Sequence, residues 1–307
     1  MKKVMMAVAG MLFVLLAACD ARTGSDHSDG KLTVTTTIGQ IADIVKNVGG
    51  EYVEVTALMG PGVDPHLYKA SQGDLKKLNE ADVIFYNGLH LEGKMGEIFE
   101  KIEKEKPTVA VAESIPKDRL LSDPANPGSF DPHVWFDIDL WSIAVETVRD
   151  ELIKMDEKHA DEYRKNAEKY LAKLQEIKQY AKQQISQIPE ESRVLITAHD
   201  AFHYFGRAYG MEVMGLQGLS TDAEYGLKDV QHLIDVIVER KIKAVFIESS
   251  ISEKSIKAVV EGAKKRGQEV KIGGELYSDA MGPEGTEEGT YAGMYRHNID
   301  TIVSSLK

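Results

Sequence analysis

The tripeptide Asp64-Pro65-His66 recurs as Asp131-Pro132-His133. A histidine held behind a proline suits metal ligation, because the pyrrolidine ring fixes the backbone that delivers the imidazole. An aspartate two residues earlier can then bond the other ring nitrogen and orient the ring, which makes Asp64 and Asp131 candidate orienting groups. Two further candidates follow β-branched runs later in the chain. Val194 to Thr197 leads into Ala198-His199-Asp200, and Val270 to Ile272 leads through Gly273 and Gly274 to Tyr277-Ser278-Asp279. His66, His133, His199 and Asp279 together make a mixed nitrogen and oxygen set, suited to manganese or zinc and wrong for calcium, which prefers oxygen alone. Glu248, after the run Ala244 to Ile247, is a candidate for touching that site, and equally for binding the Ser249 or Ser250 backbone.

All of these residues lie beyond expected strand ends, where open α/β sheets place their ligands. Short β-branched runs alternate with helical patterns from Leu32 to Ala112, and the same rhythm returns from Arg193 to a final helix over about 287–306. Such alternation predicts parallel βαβ units covered by helices. The fold class is therefore α/β, with two lobes of parallel β-sheet flanked by helices. Between the lobes, residues 157–187 contain no glycine or proline and stop at Pro189. Ala160, Tyr163, Ala167, Tyr170, Leu171, Leu174, Ile177, Ala181 and Ile185 fall on one face, so this stretch reads as one rigid backbone helix of roughly 45 Å. A coiled-coil seam is disfavoured because fewer than five heptads are available and the stripe is needed to pack on the lobes. The expected boundaries are an N-terminal lobe over 31–156, a linker helix over 157–188 and a C-terminal lobe over 189–307. His66 and His133 then come from one lobe and His199 and Asp279 from the other, so they can meet only in the cleft.

The chain begins with Lys2, Lys3 and an apolar run from Val4 to Ala18, too short for a membrane span and patterned like a signal peptide. Its end, Leu16-Ala17-Ala18-Cys19, resembles the lipobox of bacterial lipoproteins, in which the cysteine is acylated. Residues 1–18 are expected to be removed, Cys19 lipidated, and 19–30 left as a polar tether outside the cell membrane. Cys19 is the single cysteine of 307 residues, so no disulfide framework or thiolate ligand is available. The net charge of −12 argues against a nucleic-acid partner.

Other histidines read as structural. His27 lies in the tether, His90 reads as a loop or cap residue, and His159, His232 and His297 as solvent-facing. Trp135, Phe136 and Trp141 read as core. His199 and His203 are spaced as in the zinc metalloproteases, with Asp200 in place of the general-base glutamate. That arrangement needs both histidines on one helix face, whereas His199 ends a strand. The chain also lacks a Gly-x-Ser-x-Gly elbow, a phosphate loop and a dinucleotide fingerprint. No catalytic residue is assigned. A surface adhesin is a third class, with no residue to support it.

The motifs Gly60-Pro61-Gly62-Val63-Asp64-Pro65-His66, Asp131-Pro132-His133-Val134-Trp135, Ala198-His199-Asp200-Ala201-Phe202 and Tyr277-Ser278-Asp279-Ala280-Met281-Gly282 resemble those of a known family. It is that of the metal-binding lipoproteins of manganese and zinc ABC importers, the TroA-like solute-binding proteins of cluster A-I. The resemblance spans nearly the whole chain and is nearest to the manganese-binding MntA subgroup. It implies metal ligands at His66, His133, His199 and Asp279, two lobes on one rigid helix, and a permease with a separate cytoplasmic ATPase as partners. The expected function is capture of Mn²⁺ by a monomeric, lipid-anchored receptor, with a zinc receptor as the alternative. Some manganese-binding members carry Glu where this chain has His199. Zinc members often carry a long His-rich loop that is missing here.

Overall fold

The computed structural model describes residues 30–222 and 225–307. The expected signal peptide, Cys19 and all but the last residue of the tether lie outside them. The first half opens with β1 (Leu32–Thr36), α1 (Gly39–Gly49), β2 (Val53–Ala57), α2 (Gln72–Glu80), β3 (Val83–Tyr86), α3 (Gly96–Ile102) and β4 (Thr108–Ala110). These strands form one parallel sheet in the order β2-β1-β3-β4, with Val34 opposite both Val55 and Val83. Parallel neighbours require a crossover, and α1, α2 and α3 supply the three. α1 buries Ile41, Ile44, Val45 and Val48 on one face, and α2 starts with a capping box between Ser71 and Asp74. α3 is shorter than the helical pattern over 91–105. Glu92 folds back to accept from the backbone N–H groups of Asn87 and Gly88, which makes the segment before α3 a turn.

Two long helices follow, α4 (Ile138–Met155) and α5 (Ala160–Ile185). α4 was not anticipated. It begins where the Asp137 side chain accepts the Asp139 N–H, and it buries Leu140, Trp141, Ala144, Val145, Val148 and Leu152. α5 buries the apolar face read from the sequence except Leu171, which is half-buried, and runs along both halves as a spine. Tyr170 on α5 donates to Asp43 on α1 at 2.6 Å, and Asn166 donates to the Val48 carbonyl at 3.1 Å.

The second half contains β5 (Val194–His199), α6 (His203–Tyr209), β6 (Glu212–Gln217), α7 (Leu227–Arg240), β7 (Ala244–Glu248), α8 (Lys254–Lys265), β8 (Lys271–Leu276) and α9 (Tyr291–Leu306). Its strands pair in parallel as β5-β6 and β7-β8, and no ladder joins the two pairs among the described residues. β8 runs through Gly273 and Gly274 instead of ending at Ile272. A Cβ at Gly273 would stand 2.7 Å from the Phe246 ring and 2.8 Å from Ser305, so only glycine lets β8 pass between β7 and α9. No helix of the described residues is long and apolar enough to cross a membrane.

Candidate metal centre

His66 stands on the turns after β2, His133 after the loop that follows β4, His199 at the last position of β5, and Asp279 three residues beyond β8. The fold brings these four together. One ligand atom from each lies within 4.8 Å of the others, and all four side chains are buried. Asp279 Oδ2 is 3.5 Å from His66 Nε2 and 3.3 Å from His199 Nε2, while Oδ1 is 3.3 Å from His133 Nε2. The three Nε2 atoms and both carboxylate oxygens lack a hydrogen-bond partner. Buried polar atoms are ordinarily satisfied, so five such atoms aimed at one point describe a socket for a cation.

Each ligand is oriented differently. Asp131 Oδ1 accepts from the His133 backbone N–H at 2.9 Å and lies 2.7 Å from its Nδ1, which leaves Nε2 facing the socket. Asp64 Oδ1 accepts the backbone N–H of His66, at 2.9 Å. Its other oxygen accepts from Thr221 in the second half at 2.6 Å, so this copy of the motif braces the turn across the cleft and does not bond the ring. Glu248 serves His199: one oxygen accepts the His199 N–H at 2.8 Å and the other lies 2.6 Å from Nδ1. The Asp279 loop is fixed at its start by Asn298 on α9, which accepts from Tyr277 N–H and donates to its carbonyl.

The segment around His133 is bound from both halves. Tyr204 donates to the Asp131 carbonyl at 2.9 Å, Tyr291 to the Trp135 carbonyl at 2.6 Å and Tyr295 to the Phe136 carbonyl at 2.7 Å. Trp135, Phe136 and Trp141 are buried, and the Trp135 ring packs edge-on to His133 at 5.3 Å. Asn87 donates to the Pro132 carbonyl at 3.0 Å, and Glu92 holds Asn87 by its backbone N–H. Asn87, Glu92 and Asn298 carried no sequence signal of their own, since polar residues in loops and on a helix face are usually solvated.

The socket is strongly polarised. Burial and the neighbouring imidazoles push the His66 pKa down to about 3, against the pull of Asp279. Burial also opposes charge on His133, but Asp131 and Asp279 overcome it and raise its pKa to about 9. Glu248 and Asp279 likewise raise His199 despite its burial. The burial of Asp279 opposes its charge, yet the three histidines hold its carboxyl well below the usual range. The carboxylates around His133 and His199 thus favour their protonated forms, whereas burial disfavours that of His66, so a cation entering the socket competes with protons.

The remaining histidines stand apart from this group. His203 opens α6, one third exposed, with Nε2 3.5 Å from Asp200 and Nδ1 3.7 Å from Asp131. Only His199 of the protease-like pair faces the socket. His90 is exposed on a turn at φ +65° and lines a small cavity beside His66 with Asp123 and Ser220. His232 is exposed. His159 corrects the solvent-facing expectation: its ring stacks on Tyr52 at 3.8 Å and Nδ1 lies 2.6 Å from Asp156. His297 contacts the Glu275 carbonyl at 3.0 Å. His27 lies outside the described residues.

The family described as zinc-uptake complex component A, periplasmic, matches residues 34–305. The chain is 56% identical over 308 residues to the manganese-binding lipoprotein MntA of Bacillus subtilis (strain 168), with both proteins covered in full. It is 51% identical over 279 residues to the zinc-binding protein TroA of Treponema pallidum (strain Nichols), covering 91% of this chain and 90% of that one. The solved structure of the periplasmic zinc-binding protein TroA from Treponema pallidum superposes with a TM-score of 0.88 over 90% of this chain and 99% of its own.

Proposed function

The chain belongs to the zinc-uptake component A family of metal-binding substrate-binding proteins, and from that premise we propose that it captures one divalent ion, Mn²⁺, for an ABC importer. The observation that carries this reading is the set of unpartnered ligand atoms on His66, His133, His199 and Asp279, buried and converging on one point. His66 and His133 hold the cargo from the first half, and His199 and Asp279 from the second. Asp131 and Glu248 keep the His133 and His199 rings turned toward it. No bond is made or broken. Capture exchanges protons and hydration for four ligands, and release hands the ion to a permease whose ATPase is a separate subunit.

Full-length similarity to a manganese-binding lipoprotein supports manganese. It also supports acylation at Cys19 and attachment to the outer face of the cell membrane through the tether. The reading takes 31–156 and 189–307 as the two lobes, 157–188 as the helix between them, and the receptor as a monomer. Zinc is the second reading, favoured by the 51% identity to a zinc-binding protein. Three imidazoles bind zinc more tightly than manganese by the ordinary affinity order of divalent ions, so tight zinc binding in solution does not by itself identify the cargo.

The test is calorimetric titration of the metal-stripped protein with Mn²⁺ and with Zn²⁺, alongside uptake of each ion by cells lacking the gene. One ion per chain and loss of manganese uptake alone are expected. Loss of zinc uptake alone moves the cargo to zinc, and failure to bind either ion overturns the reading. Asp279→Ala should weaken binding by at least about a thousandfold, since it removes the one anionic ligand and leaves three imidazoles facing one another.

A further inference from the structure

Asp279 reaches the socket from a loop with no strand or helix of its own, and much of what holds this loop crosses from the other half of the molecule. Gln40, in the first turn of α1, is fully buried. Its Nε2 donates to the Asp279 carbonyl at 3.1 Å and reaches the Ser278 carbonyl at 3.4 Å. The indole N–H of Trp135 donates to the same Ser278 carbonyl at 3.1 Å. Two side chains of the first half thus grip consecutive carbonyls of the second, one of them belonging to a proposed ligand.

Gln40 Oε1 has no hydrogen-bond partner. A buried, unsatisfied amide oxygen costs on the order of 1–3 kcal/mol, so an amide at this position is not explained by stability alone. Its donors are what the site uses. Free volume lies between the loop and the first half: a cavity of about 350 Å³ is lined by Gly39, Ala42 and Asp43 of α1, by Met59, and by Asp279 and Met281 of the loop. The loop is therefore held by Gln40 and Trp135 and borders unfilled space beside those contacts. α1 also approaches closely, since a Cβ at Gly39 would stand 3.1 Å from Met281 Cε.

We propose that Gln40, assisted by Trp135, is a positioning residue that holds the Ser278–Asp279 backbone in its ligating pose and thereby sets how fast the bound ion leaves. Opening this catch lets Asp279 withdraw toward the cavity while the three histidines stay in place. The proposal rests on the reading of Asp279 as a ligand.

The test uses the full chain and Co²⁺, whose visible absorption reports the geometry of its ligands. Gln40→Leu keeps bulk and removes the donors; Trp135→Phe keeps a ring and removes the indole N–H. Gln40→Leu is expected to release Co²⁺ to a chelator about tenfold faster than wild type and to shift the visible bands, with the unfolding temperature of the ion-free protein little changed. Trp135→Phe should move both readouts the same way by less, and it decides the matter alone if Gln40→Leu does not fold. Wild-type release rates and spectra in the folded variants overturn the catch. A wild-type chain that takes up no Co²⁺ overturns the metal reading instead, a separate and visible outcome.

Discussion

The two halves of the molecule repeat one strand-helix alternation and build it to different tightness. The first closes four strands into a continuous parallel sheet, whereas the second leaves β6-β5 and β7-β8 as two pairs with no ladder between β5 and β7. At that seam a side chain stands where backbone pairing is missing: Glu248, ending β7, accepts the N–H of His199, ending β5. His66 and His133 are thus presented by a frame complete in itself, while His199 and Asp279 stand on one that is finished partly by the socket. A bound cation should therefore order the second half more than the first. At an ion concentration of a hundred times Kd, mass action adds about 2.7 kcal/mol, or about a hundredfold in opening equilibrium. Hydrogen exchange should show most of that protection in β5 to β8 and little in β1 to β4. Equal protection of both sheets would break the comparison.

The next effect separates the two orienting carboxylates. Asp131→Asn and Glu248→Gln each weaken the grip on a histidine, and each should cost about 10- to 100-fold in ion affinity by competition titration. They should differ in the ion-free protein. Asp131 serves a segment already tied by Tyr204, Tyr291 and Tyr295, whereas Glu248 spans the seam. Glu248→Gln should speed exchange at β5, and Asp131→Asn should leave the first sheet unaltered. Matching exchange in the two variants would mean that Glu248 orients its histidine and does nothing for the seam.

The sequence made legible whatever depends on local pattern. The duplicated Asp-Pro-His placed His66 and His133 beyond strand ends, the apolar stripe marked α5, and the β-branched runs ending at His199 and leading to Asp279 put both at the socket. What it left hidden depends on partners far along the chain. Gln40 acts on carbonyls 238 and 239 residues away, and Thr221 meets Asp64 across 157. The Asp-Pro-His copies look alike, yet one aspartate holds an imidazole and the other only a backbone N–H, because Thr221 takes up the second oxygen of Asp64. α4 escaped because its start follows a short helical turn, Val134–Phe136, that blurs the boundary set by Asp137.

Protonation offers a milder probe of the same contrast. His133 in the first half, with a pKa raised to about 9, and His199 in the second, also raised, hold protons at neutral pH, while His66, lowered to about 3, does not. A raised pKa means that the proton is fully present below the ordinary histidine value and is lost only as pH climbs through the shifted one. An entering ion at pH 7 must then expel about two protons, and affinity should rise with pH between about 6 and 9. Calorimetry in buffers of different ionisation enthalpy counts these protons. Asp131→Asn removes the carboxylate that holds up the His133 pKa, so its count should fall by about one, leaving the His199 proton in place. An unchanged count would mean that the expelled proton does not come from His133.

The smallest expected effect lies on the spine. α5 is tied to the first half by a buried bond, Tyr170 to Asp43, and to the second by a bond at the surface, Tyr180 to Asp300. A buried carboxylate that loses its donor keeps its desolvation penalty, whereas an exposed one turns to water. Tyr170→Phe should therefore cost about 1–2 kcal/mol in denaturant unfolding, and Tyr180→Phe less than about 0.5 kcal/mol. Neither should alter ion affinity, since both bonds lie away from the socket. Should Tyr180→Phe cost as much as Tyr170→Phe, the spine would be anchored evenly, and the looseness of the second half would reside in its sheet alone.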